Sequence, residues 1–549
     1  MKFKKLSLGV VVFTLISSLV AFSPHDKYFE IAKNIDIFVT LYQEVNKFYV
    51  DDVNPTDLMN SGINSMLNTL DPYTDYIPED EIEDYRTMTT GEYGGVGIMI
   101  GNRNSKIMIL MASEGFAADR AGLEIGDELI KIDEVDVERR NIDDISKLLK
   151  GQSGSEVNLT VRRFGHTTPL TFHLKREKIQ LSNVPYFGMV TEDIGLIQLT
   201  DFTRNASKEV ATALNKLKDQ GAKKVILDLR SNPGGLLSEA INVSNVFLPK
   251  GLEIVSTKGK IKDWNRTNKA LNSPVDTEIP LAVLINGHSA SAAEIVSGVI
   301  QDYDRGVLVG RRSFGKGLVQ ATRSLSYNSK LKVTVAKYYI PSGRCIQEID
   351  YSHKSKDGSP EKIPDSLRVA FKTQNGRTVY DGGGVSPDLR VSPMNYATIT
   401  MSLLNRGLIF NYATEYKFKH EQIPPAKDFS LTDAEFEEFV EWLNDKEYDY
   451  RTEVEKSYDK LVISAKAEKY YDDIQNEIQA LKQKIFHNKE SDLYNFKKEI
   501  KRELEKEICS RYYLKNGRIE VAFDHDHDVL TAVAVLNDND RYGEILAKH

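Results

Sequence analysis

The chain has 549 residues, of which 41% are hydrophobic and 28% charged, and a formal net charge of −8. That length exceeds one compact core and calls for about three or four domains. The negative balance excludes a broad nucleic-acid surface, which needs a concentrated Lys/Arg field. Two distant cysteines, Cys345 and Cys509, exclude a disulfide framework and lack the neighbours a zinc site requires, so both are expected as unpaired thiols.

Lys2, Lys4 and Lys5 precede an apolar run from Leu6 to Phe22, with small residues around Ala21 and Ser23. This reads as a cleaved export signal over residues 1–23, with an uncleaved membrane anchor as the alternative. The remainder is then expected outside the cytoplasm, in the periplasm or cell envelope. Residues 24–88 read as a helical segment: Ile35, Phe38, Leu41, Tyr42 and Val45 form one stripe, and Leu58, Ile63, Met66 and Leu67 a second. Pro72 stops it.

Residues 89–178 change character. A Gly-rich turn leads into a strand near Ile98, followed by short strands at 107–111, 128–132, 157–162 and 170–174 and a helix at 142–149. This is a small β-rich module. Over 179–395, apolar strands at 195–199, 225–229, 281–285 and 307–309 alternate with helices at 207–220, 237–246 and from the serine motif to residue 300. Uniformly apolar strands in that alternation predict an α/β core with a sheet buried on both faces. Residues 396–549 read as a charged helical extension. Its stripe Ile474, Ile478, Leu481 and Ile485 fits either a helix docked on the core or a dimerising helix, hence a homodimer.

Chemistry concentrates in residues 287–320. In Gly287-His-Ser-Ala-Ser-Ala-Ala-Glu294 an apolar strand ends and a helix begins, so Ser291 meets the N–H donors of a first helical turn. The plain alternative is a helix cap, with Glu294 completing a capping box. Lys316, between Gly315 and Gly317, is a base only if burial lowers its pKa. Gly310-Arg-Arg-Ser-Phe-Gly-Lys-Gly317 mimics a phosphate-binding loop but has Gly317 where Ser or Thr must hold magnesium, and extended chain follows. His288 does not sit in a Gly-x-Ser-x-Gly elbow, so a His-based triad has no assembly here. Asp524-His-Asp-His-Asp528 reads as an exposed polar loop rather than a metal site.

Taken in order, several segments resemble the carboxy-terminal processing (tail-specific) peptidases, exported serine proteases with a PDZ domain and a Ser-Lys dyad. They are Leu70-Asp-Pro-Tyr-Thr-Asp-Tyr76, Gly94-Gly-Val-Gly-Ile98, Ala121-Gly-Leu-Glu-Ile-Gly-Asp127, Asp228-Leu-Arg-Ser-Asn-Pro-Gly-Gly235, Ser289-Ala-Ser291, Phe314-Gly-Lys-Gly317 and Tyr338-Tyr-Ile-Pro-Ser-Gly-Arg344. The resemblance spans roughly residues 35–395. It implies an α/β protease core with an inserted PDZ domain at 89–178, Ser291 as nucleophile, Lys316 as general base and Gln320 orienting the lysine. It also implies an oxyanion hole from Ala292 and the Gly234-Gly235 turn, and a PDZ groove around Gly95, Val96, Gly97 and Ile98 that binds protein C-terminal tails by strand addition. No metal or cofactor is called for. Ala293 stands where the family often has a serine, and Gly115-Phe-Ala117 replaces a common small-Pro-Ala segment. The rival class is a catalytically silent PDZ adaptor of the same fold; a weaker third is an esterase using His288.

Overall fold

The computed structural model describes residues 25–354, 359–485 and 489–547. The expected export signal therefore lies outside the described residues, and among the described residues no helix is long and apolar enough to cross a membrane. The chain divides into two compact units at Tyr76/Ile77. In the smaller, α1 (His25–Phe48) and α2 (Pro55–Asn68) follow the expected stripes. Asn54 caps α2 by accepting the Thr56 N–H at 2.9 Å. Asp71 Oδ1 closes the turn beyond it by accepting the Tyr73 and Thr74 N–H groups, each at 2.8 Å.

The larger unit takes in the helix Ile82–Thr90 that the sequence grouping left with the N-terminal segment. A short pair, β1 (Glu92–Gly95) with the later strand Glu177–Gln180, closes the base of the β-rich module. Within it β2 (Ile98–Arg103), β3 (Lys106–Ala112), β4 (Glu128–Ile132), β5 (Glu156–Arg162) and β6 (Leu170–Lys175) form one antiparallel sheet in that order. Helix α3 (Ile142–Leu149) lies between β4 and β5 in sequence, and its Asn141 cap accepts the Asp144 N–H at 2.8 Å. Its Ile145 and Leu149 join Ile109, Leu129, Leu159 and Val161 in the module's core.

The α/β core is built on a second sheet. β7 (Tyr186–Met189) pairs antiparallel with β8 (Ile194–Gln198). Then β9 (Lys224–Asp228), β10 (Leu281–Ile285), β11 (Val307–Gly310) and β12 (Leu389–Arg390) continue in parallel. Side chains alternate across a strand, and here both faces are covered. Ile197, Val225, Leu227, Val283 and Ile285 face helices α4 (Ala206–Asp219), α5 (Leu237–Phe247) and α6 (Ala292–Asp302). Ile194, Leu196, Ile226, Ala282, Leu284 and Val309 face the opposite way, onto Val529, Ala532 and Val535 of α7 (His527–Asn537) and onto Phe523 in the turn before it. The C-terminal extension thus supplies the second layer of the core.

The other C-terminal helices pack an aromatic core around Tyr412, Tyr416, Phe436 and Phe439. Of the stripe, Ile474, Ile478 and Ile485 pack with Tyr458, Val462 and Ala465 of the neighbouring helix Glu453–Ala467 rather than on the core, in a small cluster of their own, and Leu481 is exposed. Asp524–Asp528 is not an exposed loop. It forms a helical turn and the start of α7, with Asp528 buried. Among the described residues no His/Cys/Asp/Glu cluster fits a metal ion, and Cys345 and Cys509 are unpaired.

Candidate active site

Three adjacent parallel strands, β9, β10 and β11, end on the same side of the sheet, where open α/β sheets place their sites. Their loops carry residues 229–235, 286–291 and 311–317. Ser291 is the N-cap of α6, with φ 55° and ψ −112°. A non-glycine residue there is strained and persists only where its surroundings hold it; a sharp strand-to-helix turn of this kind presents a serine oxygen outward.

Glu294 does the holding. Its side chain is fully buried. Oε2 accepts the N–H of Ser291 at 2.9 Å and that of Lys316 at 2.9 Å; Oε1 accepts the Gly315 N–H at 2.7 Å and the Ser313 hydroxyl at 2.5 Å. The serine and lysine backbones are thus two hydrogen-bond lengths apart through one oxygen. Burial pushes the carboxyl up to about 7, against the pull of these four donors, which favour the ionised form. The expected capping box is therefore half of the story: Glu294 reaches back to Ser291 as a cap partner, while its own N–H donates to the Ser291 carbonyl at 2.9 Å. The same carboxylate also organises the lysine loop. Only the capping-box spacing hinted at this.

Gly315 and Gly317 are tightly enclosed. A Cβ at Gly315 would fall 2.6 Å from Glu348 Cβ, and one at Gly317 2.9 Å from the Gln347 N. Lys316 itself is half-buried, as is Ser291. Beyond it the chain is extended, a strand over Leu318–Ser324, which bears out the rejection of a phosphate loop. Gln320 lies on that strand, and its Nε2 donates to Thr334 Oγ1 of the antiparallel neighbour at 3.3 Å. Tyr338, buried on the same neighbour, donates its hydroxyl to the Ser291 carbonyl at 3.2 Å; its role was not assigned from the sequence.

The turn after β9 abuts the serine. Gly234, at φ 100°, has no room for a side chain: a Cβ would meet Ser291 Cβ at 2.8 Å and the Ala292 N at 2.9 Å. Its N–H, however, donates to Asn232 Oδ1 at 2.8 Å. The Gly234 N–H is thus committed within its own turn, so of the two glycines expected as donors only Gly235 is carried forward as a candidate. Ala292 opens α6, so its N–H has no intrahelical acceptor. Asn232 and Asn286 stitch the two loops together. Ala290 N–H donates to the Asn232 carbonyl at 2.9 Å, and Asn286 Oδ1 accepts the N–H of Ser231 and of His288, each at 3.0 Å. His288 is exposed on this turn.

In the small module β2 is an edge strand, and a cavity of about 350 Å³ runs beside it, lined by Gly95, Val96, Gly97, Ile98, Ile100 and Leu149 among others. The Val96 and Gly97 carbonyls turn inward to the N–H groups of Ala118 (3.0 Å) and Ser113 (2.8 Å). An open edge beside an apolar trough is the geometry that takes up an extended peptide.

A serine on a strained turn, a lysine loop bound to the same carboxylate and a module with an open edge strand together have the make-up of a serine peptidase with a peptide-recognition domain. Residues 193–353 match the model of peptidase family S41, residues 110–163 a PDZ domain and residues 399–536 the "probable PDZ-protease, C-terminal helical domain". A carboxy-terminal-processing protease of Bartonella bacilliformis is 37% identical over 347 residues, covering 62% of this chain and 78% of the relative. A probable CtpA-like serine protease of Staphylococcus aureus is 32% identical over 353 residues, covering 63% and 70%. The solved photosystem II D1 C-terminal processing protease is 25% identical, covering 68% of this chain and 96% of its own, with a TM-score of 0.35. The chain belongs to peptidase family S41, the PDZ-bearing carboxy-terminal-processing serine proteases.

Proposed function

We propose that this serine peptidase is exported and cleaves proteins whose C-terminal tails its PDZ domain has bound, through a Ser291–Lys316 dyad. Ser291 Oγ attacks the scissile carbonyl as Lys316 takes its proton. The N–H groups of Ala292 and Gly235 receive the oxyanion; the lysine then protonates the leaving amine and water releases the acyl group. The observation that carries this reading is Glu294, whose one oxygen accepts both the Ser291 and the Lys316 N–H. A carboxylate buried for helix capping alone would have no reason to gather the lysine loop. Gln320 is the candidate for orienting the lysine. Tail binding adds a strand to β2, with the carboxylate at the Gly95–Ile98 loop. Export rests on the basic and apolar N-terminal residues.

The test is turnover of a tail-bearing protein substrate by Ser291→Ala and Lys316→Ala. Both should keep the fold and tail binding and lose cleavage by about a thousand-fold or more. Wild-type turnover by either removes that residue from the dyad.

A further inference from the structure

The C-terminal helical domain reaches the active-site turn at Arg230. Arg230 follows β9 and is 19% exposed. Its Nε and Nη2 donate to the two Asp228 oxygens at 2.9 and 2.7 Å; its Nη1 donates to Asp526 Oδ1 at 2.8 Å and Asp528 Oδ2 at 3.0 Å. Asp228 lies on the same strand, two residues back. Asp526 and Asp528 come from almost three hundred positions further along the chain.

We propose that Asp526 and Asp528 are positioning residues for the oxyanion turn, acting through Arg230. The proposal rests on the assignment of Ser291 and the Gly235 N–H to the reacting site. A guanidinium is planar, so carboxylates at both ends fix its orientation and, with it, the backbone that carries it. From Arg230 the chain has five residues to reach Gly235, and three of them are held in place. The Ser231 N–H goes to Asn286 Oδ1 at 3.0 Å, Asn232 Nδ2 donates to the Leu199 carbonyl at 2.7 Å, and Gly234 rests against Ser291 Cβ. Asp228 holds one edge of the guanidinium from within the sheet, where it is paired with Gln198 on one side and Leu284 on the other. Asp526 and Asp528 provide an anchor outside it.

That anchor is rigid. Asp526 caps α7, accepting the N–H of Asp528 at 3.1 Å and of Val529 at 3.2 Å. Val529, Ala532 and Val535 then seat α7 on the back of the sheet that bears the site. Oxyanion donors act only when held within a fraction of an ångström of the developing charge, which requires support of this sort. The Asp-His-Asp-His-Asp run thereby acquires a part in catalysis without touching substrate.

The experiment uses the full-length protein and the double variant Asp526→Asn/Asp528→Asn, with Asp526→Asn alone and Ser291→Ala in parallel. Asparagine caps helices about as well as aspartate, so α7 keeps its start while Arg230 loses the two charged partners of the C-terminal domain and keeps Asp228. Expected are a fall in kcat of about ten-fold, KM within about two-fold, a protein still fully folded at the assay temperature, and unchanged tail-peptide affinity; the single variant should fall between. A kcat within two-fold of wild type overturns the proposal, and so does a loss of kcat that only follows a loss of folded protein. If the double variant does not fold, the single variant decides by the same criteria. Cleavage by Ser291→Ala would instead refute the site assignment itself, whatever the aspartate variants do.

Discussion

Glu294 concentrates what the site needs in one side chain. With four donors on two oxygens it satisfies all of them only as the anion, and burial has raised its pKa to about 7. Above that pH the carboxylate holds both loops; as pH falls through it the carboxyl gains a proton and one N–H loses its acceptor. In protein with 15N-labelled glycine and lysine, the Gly315 and Lys316 amide resonances should therefore titrate with an inflection at about 7. Glu294→Gln should abolish that inflection; one that survives the substitution would assign it to another group. The amide would face an N–H with an NH2 of its own. Activity should fall about a hundred-fold from misplacement, and stability by about 1–3 kcal/mol. A second buried charge makes a purely structural case. Arg344 and Asp302 are each 1% exposed and 2.8 Å apart, so Asp302→Asn, which strands the guanidinium, should cost about 3–5 kcal/mol in denaturant unfolding. Ser291 and Lys316 stood out as candidates because a strand end and paired glycines mark them, and one carboxylate accepts both backbone N–H groups. Glu294 showed in sequence only as a cap partner, since its bonds to Gly315 and Lys316 cross 21 and 22 positions.

Strands buried on both faces announce themselves as unbroken apolar runs, and β10, Leu281–Ile285, has the bounds its composition predicts. Helix α3, Ile142–Leu149, is equally legible, being set by its Asn141 cap and a one-sided stripe. The docking of α7 was not. Its apolar residues fit any buried helix, and nothing local says that their partner is a sheet formed three hundred residues earlier. In the PDZ domain the edge strand β2 carries the binding expectation. Ile98 lines the trough, so Ile98→Glu should weaken tail-peptide binding about ten-fold or more by placing a carboxylate beside the incoming one. Cleavage of short peptides that do not reach the PDZ domain should be unaffected. Equal tail affinity by calorimetry would move the binding site elsewhere.

The C-terminal domain touches both of the other modules. Its α7 covers the core sheet, and Phe418 stacks edge-on against Phe164 of the PDZ domain with ring centroids 5.5 Å apart. Removing residues 396–549 would bare Leu196, Ile226, Ala282, Leu284 and Val309 at once. The truncated chain should therefore be insoluble or unfolded; a soluble, cooperatively melting product would show that the core closes without it. Within the intact protein the dyad stands or falls on where the acyl group forms. Acid quenching during turnover of a tail-bearing substrate, followed by peptide mass spectrometry, should find the acyl group on Ser291 in wild type and none in Lys316→Ala. An adduct on another residue, or undiminished acylation without the lysine, would contradict it.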